Sequence, residues 1–164
     1  MSVSFDSAVP QHARAQRAVT FAVVITLVLA TADLLFACTY WRTMYGVPPL
    51  RLMQNIAAGL LGKRAFVGGS STVLLGALLH YAIMGVMVAT YYLMARRMKA
   101  LVERPWLYGV LYGAILFVVM NLIVVPLSAA PKAPVVLSWI ISSVVVHLII
   151  GLVIALSARR AFRG

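Results

Sequence analysis

Apolar residues along this chain fall into four long runs, at about 18–41, 71–95, 105–126 and 134–158. Crossing roughly 30 Å of hydrocarbon takes ~20 residues at ~1.5 Å each, and every run reaches that length. Threonines and Asp33 interrupt the first run. Arg96-Arg97 and Arg159-Arg160 stop the second and fourth, while Pro105 suits the first turn of the third and Pro126 helps to end it. No uncharged stretch is left for a fifth span. The pattern predicts an all-α integral membrane protein, a four-helix bundle of up-down topology in one transmembrane domain, 1–164.

The first connection has a pattern of its own. Between Pro49 and Gly62, Met53, Ile56, Ala57, Leu60 and Leu61 recur at helical spacing, with Arg51, Gln54 and Asn55 elsewhere on the wheel. That describes an amphipathic helix over 49–62, too short to span and suited to the outer interface. It reads first as a packing cap over the bundle mouth, with a functional lid as the alternative. Gly68-Gly69-Ser70-Ser71 then makes a turn that offers an N-cap to the second span.

Composition agrees. The apolar set makes up 63% of the 164 residues and charged residues 10%, with a mean hydropathy of +1.01, far from a soluble domain of about half and a quarter. The net charge of +11 comes from 14 basic and 3 acidic residues. No polar segment is large enough to use that excess on nucleic acid, so it serves as a topology signal and attracts anionic lipid headgroups. Nine basic residues (Arg14, Arg17, Arg96, Arg97, Lys99, Arg104, Arg159, Arg160, Arg163) fall on one side and five (Arg42, Arg51, Lys63, Arg64, Lys132) on the other. The positive-inside bias puts both termini in the cytoplasm. Tyr40, Trp41 and Trp139 mark the outer rim, and Tyr91, Tyr92, Trp106 and Tyr108 the inner one. A rival reading takes Ala30-Thr31-Ala32 as a signal cleavage site, but apolar character resumes at once from Leu34 to Cys38. Cys38 is the one cysteine, which excludes an internal disulfide and a cysteine-built metal site.

Each span carries one conspicuous polar side chain: Asp33, His80, Asn121 and His147. Counted from the outer rim they lie roughly 8 to 20 Å deep, so the four could meet in one layer at the bundle axis. An aspartate at a span centre costs ~2.5–3.5 kcal/mol, which turns it inward toward a partner or a proton. Small residues lie alongside. Gly109 and Gly113 form a GxxxG, and Ser143, His147, Gly151 and Ala155 a ridge at four-residue spacing, patterns that pack helices inside one bundle or between copies in a homo-oligomer. The echo of His80, Gly85 and Ala89 in His147, Gly151 and Ala155 suggests two parallel hairpins related by an axis along the membrane normal.

Three functions follow. The leading one is a structural, accessory or interaction role, with the polar layer acting as helix–helix glue. The alternative is proton- or ion-linked permeation, with Asp33 as the protonatable carboxylate, His80 and His147 as relays and Asn121 as a neutral ligand. The third is a b-type haem held by His80 and His147 on parallel spans. No other cofactor or metal is expected. No GxSxG, HExxH, CxxC or phosphate loop supports an enzyme.

Finally, Gln54-Asn55-Ile56-Ala57-Ala58-Gly59-Leu60-Leu61-Gly62, Ala65-Phe66, Gly68-Gly69, Leu107-Tyr108-Gly109, Tyr112-Gly113, Met120-Asn121 and Pro126-Leu127-Ser128-Ala129 form a pattern. It resembles one in small four-span bacterial inner-membrane proteins with no assigned activity. The resemblance covers most of 33–160 and implies a bacterial inner membrane. It carries no catalytic or ligand role to any residue here.

Overall fold

A computed structural model describes residues 11–131 and 135–163. It is all helical among those residues: α1 (Gln11–Tyr45), α2 (Pro49–Leu61), a 3-10 segment (Gly62–Val67), α3 (Gly69–Arg97), α4 (Lys99–Glu103), α5 (Pro105–Val119), a π turn (Met120–Val124), α6 (Val125–Leu127) and α7 (Leu137–Arg163). Four helical stretches, Ala15–Tyr45, Gly69–Arg97, Pro105–Leu127 and Leu137–Arg163, are long and apolar enough to cross a membrane. The chain is a multi-pass membrane protein with a four-helix bundle fold.

The spans alternate in direction. At one end of the bundle the Arg17 guanidinium donates to the Arg160 carbonyl at 3.1 Å, capping the close of α7 with a cation from the start of α1. At the other, the Tyr40 and Ser138 hydroxyls meet at 2.6 Å, joining the close of α1 to the start of α7. Phe36, Tyr40, Trp41 and Trp139 pack there with ring centroids 5.0–6.3 Å apart. Below, the half containing α4, the start of α1 and the ends of α3 and α7 is called the inner half, and the half carrying α2 the outer half.

Helix ends depart from the apolar limits. The α1 helix runs on to Tyr45, because termination needs a backbone event and not only a polar residue. Gly46 supplies it with a φ of 68°, and the Val47 N–H reaches back to the Trp41 carbonyl at 3.1 Å. Pro126 does not close the third span at once. It sits in the single turn α6, and the preceding π turn, in which the Val125 N–H bonds the Met120 carbonyl, absorbs it. Lys132 and Pro134 lie outside the described residues, and helix α7 begins at Leu137.

Packing is uneven along the bundle. In the inner half one core joins Ala18, Leu29 and Ala30 of α1, Met84, Val88, Tyr91, Tyr92 and Ala95 of α3, Tyr112 and Leu116 of α5, and Ile150, Ile154, Ala155 and Ala158 of α7. Helix α4 plugs its end with Leu101 and Val102. Tyr91 and Tyr92, expected at the inner rim, are core residues instead: 0% and 5% exposed, on one face with Met84, Val88 and Ala95. Their hydroxyls are bonded, Tyr91 to the Leu101 carbonyl at 3.1 Å and Tyr92 to the Ser157 hydroxyl at 2.7 Å. Tyr112 donates to the Met87 carbonyl at 2.7 Å, tying α5 to α3. Trp106 stays exposed.

The α5–α7 seam is the most extensive helix pair. Gly109 and Gly113 of α5 lie directly on Gly151 of α7. A Cβ on Gly109 would fall 2.8 Å from the Leu152 Cα and 2.9 Å from the Ala155 Cβ. The GxxxG is therefore spent within this bundle, where close backbone contact replaces the hydrophobic drive that lipid does not supply.

In the outer half α2 lies across the start of α3 with Met53, Ala57 and Ala58 buried. Gly76 of α3 is pressed against the Met53 main chain, an approach only glycine permits. Leu60 and Leu61, expected on the buried face, are exposed, because Ala58 takes the contact instead. The helix is a packing cap in form, with its far end bonded to the third connection through the Ala129 N–H and the Gly59 carbonyl, 2.9 Å apart.

Candidate functional site

The inward stripe of α1 consists of Thr26, Ala30, Asp33 and Ala37. Ala30 is fully buried, whereas Asp33, one turn outward, is half-buried at the upper edge of the inner core. His80 of α3 faces it. The His80 Nε2 lies 3.0 Å from the Ala30 carbonyl and 3.7 Å from Asp33 Oδ2. A carbonyl oxygen can only accept, so the ring proton sits on Nε2 and Nδ1 is left as a basic lone pair. The same main-chain bond fixes the ring next to the carboxylate. Side-chain exposure is 16% for His80 and 24% for Asp33.

His147 of α7 is oriented from within its own helix. Its Nδ1 donates to the Ser143 carbonyl of its own helix at 2.8 Å, and the Ser143 hydroxyl lies 3.4 Å from the same nitrogen. That leaves Nε2 as the basic nitrogen. Phe117 of α5 holds the ring edge-on, with centroids 5.7 Å apart. Asn121 stands apart: its Nδ2 donates to the Phe117 carbonyl one turn back, at 3.0 Å, within the third span. Two of the four expected residues are therefore in contact, Asp33 with His80, while His147 bonds within α7 and Asn121 bonds locally at the start of the π turn.

The two hairpins do not use their histidines alike. His80 bonds across to α1, whereas His147 bonds within α7. Among the described residues no cluster of three or more His, Cys, Asp or Glu side chains has metal-site spacing. A haem would need a free nitrogen from each ring around a common slot. Each ring keeps one free nitrogen, Nδ1 of His80 and Nε2 of His147, but two surface hollows of the bundle, one along Leu27, Val28, Thr31, Ala32 and Leu35 of α1 and one beside α2, are lined by neither histidine.

The Asp33 carboxylate is the one acidic side chain of the four spans. Among the described residues no N–H or O–H donates a hydrogen bond to it; His80 Nε2 stands 3.7 Å away. Its oxygens are not sealed from solvent-sized space either, since no fully buried, unpartnered side-chain oxygen or nitrogen occurs among the described residues. The Ala30 and Ser143 carbonyls that orient the two rings were not visible in the sequence, because every residue has a carbonyl and only helix rotation decides which one a side chain meets.

Comparison of the chain with models of known protein families, with curated proteins and with solved structures finds no match.

Proposed function

We propose that this is a small membrane protein whose Asp33–His80–His147 group is a protonation site for proton- or ion-linked permeation. One observation carries the reading. A carboxylate within a membrane span keeps 24% of its side chain open and accepts no hydrogen bond among the described residues. Glue would leave it bonded and closed, since an unsatisfied polar group in hydrocarbon costs several kcal/mol, of order ~2–7. Asp33 meets that demand by taking a proton or by contact with water. The His80 imidazole, 3.7 Å away, is its neighbour for exchange, with His147 the other titratable ring of the spans. We place the protein in a bacterial inner membrane with both termini cytoplasmic; the split of nine basic residues against five and the family resemblance support this.

Purified protein in liposomes loaded with a pH-sensitive dye tests the reading. The native chain passes protons down a pH gradient, and Asp33→Asn abolishes that flux while the helix content stays unchanged, because no bond to Asp33 is lost. Undiminished flux in Asp33→Asn would end the proposal. The accessory reading, with the polar layer as glue, draws on the bond from His80 to the Ala30 carbonyl that joins α3 to α1. It predicts the reverse pattern, in which Asp33→Asn is silent and His80→Ala loosens the fold.

A further inference from the structure

The connection between the first two spans is basic and has no counter-charge of its own. Residues 46–68 hold Arg51, Lys63 and Arg64 and no acid, and all three cations are exposed. The single ion pair among the described residues, His80 with Asp33, lies within the spans. Of the three cations Arg51 is the one held in place by an aromatic ring. Its Cζ stands 3.9 Å from the centroid of the Phe66 ring, and its Nη1 donates to the Phe66 carbonyl at 3.4 Å. Stacking uses a face of the guanidinium and the carbonyl uses one N–H. The remaining N–H groups lie in the guanidinium plane, where an oxyanion can meet two of them at once.

The same side chain lines a hollow of about 440 Å³ between α2 and the start of α3. Two chemistries meet there. Arg51, Gln54 and Ser70 give a polar wall, while Leu50, 65% exposed, and Val73 give an apolar one. Packing fixes the walls relative to each other: Gln54 Nε2 donates to the Gly69 carbonyl at 3.5 Å, and Gly76 is pressed against the Met53 main chain. The cap expected from Gly68-Gly69-Ser70-Ser71 does not form. The Ser71 and Thr72 hydroxyls turn back to the Gly68 and Gly69 carbonyls at 2.7 and 3.0 Å, so no side chain covers the first N–H groups of α3 beside the cation.

We propose that this hollow seats one anionic phospholipid, with its phosphate on Arg51 and Ser70 and its acyl chains over Leu50 and Val73. A free phosphate would leave the apolar wall unused, and a plain hydrocarbon would leave the guanidinium without an anion. An amphiphile satisfies both walls, and the start of a span is the height at which headgroups give way to acyl chains. A net negative headgroup is favoured over a zwitterionic one, because a choline would face Arg51, Lys63 and Arg64 with no carboxylate among residues 46–68 to offset them. The inference is independent of Asp33 and of what that residue does.

The test uses the full chain in phosphatidylcholine vesicles that carry a trace of photoreactive lipid, either phosphatidylglycerol or phosphatidylcholine, with a diazirine on the acyl chain near the glycerol. Adducts are located by peptide mass after irradiation. The proposal predicts adducts at Leu50 and Val73 that favour phosphatidylglycerol about fivefold, the factor one cation near a membrane surface supplies. Arg51→Gln removes the preference, whereas Lys63→Gln with Arg64→Gln, two charges outside the hollow, keeps it. Val73→Trp fills the hollow with every charge in place and removes the adducts at Leu50, which covers the case of an Arg51 variant that does not fold. Equal labelling by the two lipids overturns the anionic occupant. Labelling that survives both Arg51→Gln and Val73→Trp overturns the site, as does an equal loss in the Lys63 and Arg64 variant, which would mean diffuse surface charge. Loss of the preference to millimolar inorganic phosphate at constant ionic strength overturns the lipid in favour of free phosphate.

Discussion

The three core tyrosines are buried, whereas His80 and Asp33 keep 16% and 24% of their side chains exposed, and their polar atoms are used differently. Each tyrosine hydroxyl is bonded at 2.7–3.1 Å, as a buried donor must be. Asp33 has a histidine beside it and no bond. A residue whose polar atoms are satisfied contributes to stability, and one left open is available for exchange. Tyr92 and Ser157 should therefore behave as a structural pair. Tyr92→Phe and Ser157→Ala each destabilise by about 1 kcal/mol, and the double variant loses less than their sum, by a coupling of roughly 0.6 and at most about 1.7 kcal/mol. Denaturation by sodium dodecyl sulfate in mixed micelles measures all three, and strict additivity would mean that the hydroxyls do not interact. The polarity of Asp33, His80 and His147 against an apolar background was legible in the sequence. Their bonding was not: the decisive acceptors are the Ala30 and Ser143 carbonyls, which helix rotation selects and no side-chain pattern records.

At the scale of elements, glycines decide where helices touch. Gly113 and Gly151 face each other across the α5–α7 seam, where an added methyl would meet backbone, whereas a Cβ on Gly85 would meet nothing nearer than the Thr26 Cγ2 at 3.7 Å. Gly151→Ala should cost about 1–3 kcal/mol by overpacking, and Gly85→Ala should be neutral or stabilising, since alanine is the better helix former. The same micelle denaturation separates them; equal effects at the two sites would contradict the seam. The spacing Gly109–Gly113 announced a close contact without naming its partner, because the motif serves a neighbouring span or a second copy equally well. Span positions followed from run length, but their ends shifted by several residues where a positive-φ glycine at 46 or a π turn before Pro126 governs termination. The tyrosines at 91 and 92 could have been placed by their spacing from Met84 and Val88, which puts all four on one face. Their aromatic character instead suggested the membrane rim.

For the whole molecule, the consequential feature is that the one carboxyl within the four spans sits at the upper edge of the inner core, beside His80. Hydropathy could place Asp33 in the first span but not beside His80, because helix rotation decides which neighbour a side chain meets. The chain's economy in acids makes the account open to a direct measurement: beyond Asp33 it contains only Asp6 and Glu103 as acidic side chains, both outside the four spans. Infrared difference spectra of the full chain in lipid, recorded across a pH titration, report its carboxyl stretch. The account predicts a protonated-carboxyl band in an apolar setting that appears and disappears with pH, vanishes in Asp33→Asn and moves in His80→Gln. Native and Asp33→Asn spectra that superimpose at every pH would contradict it.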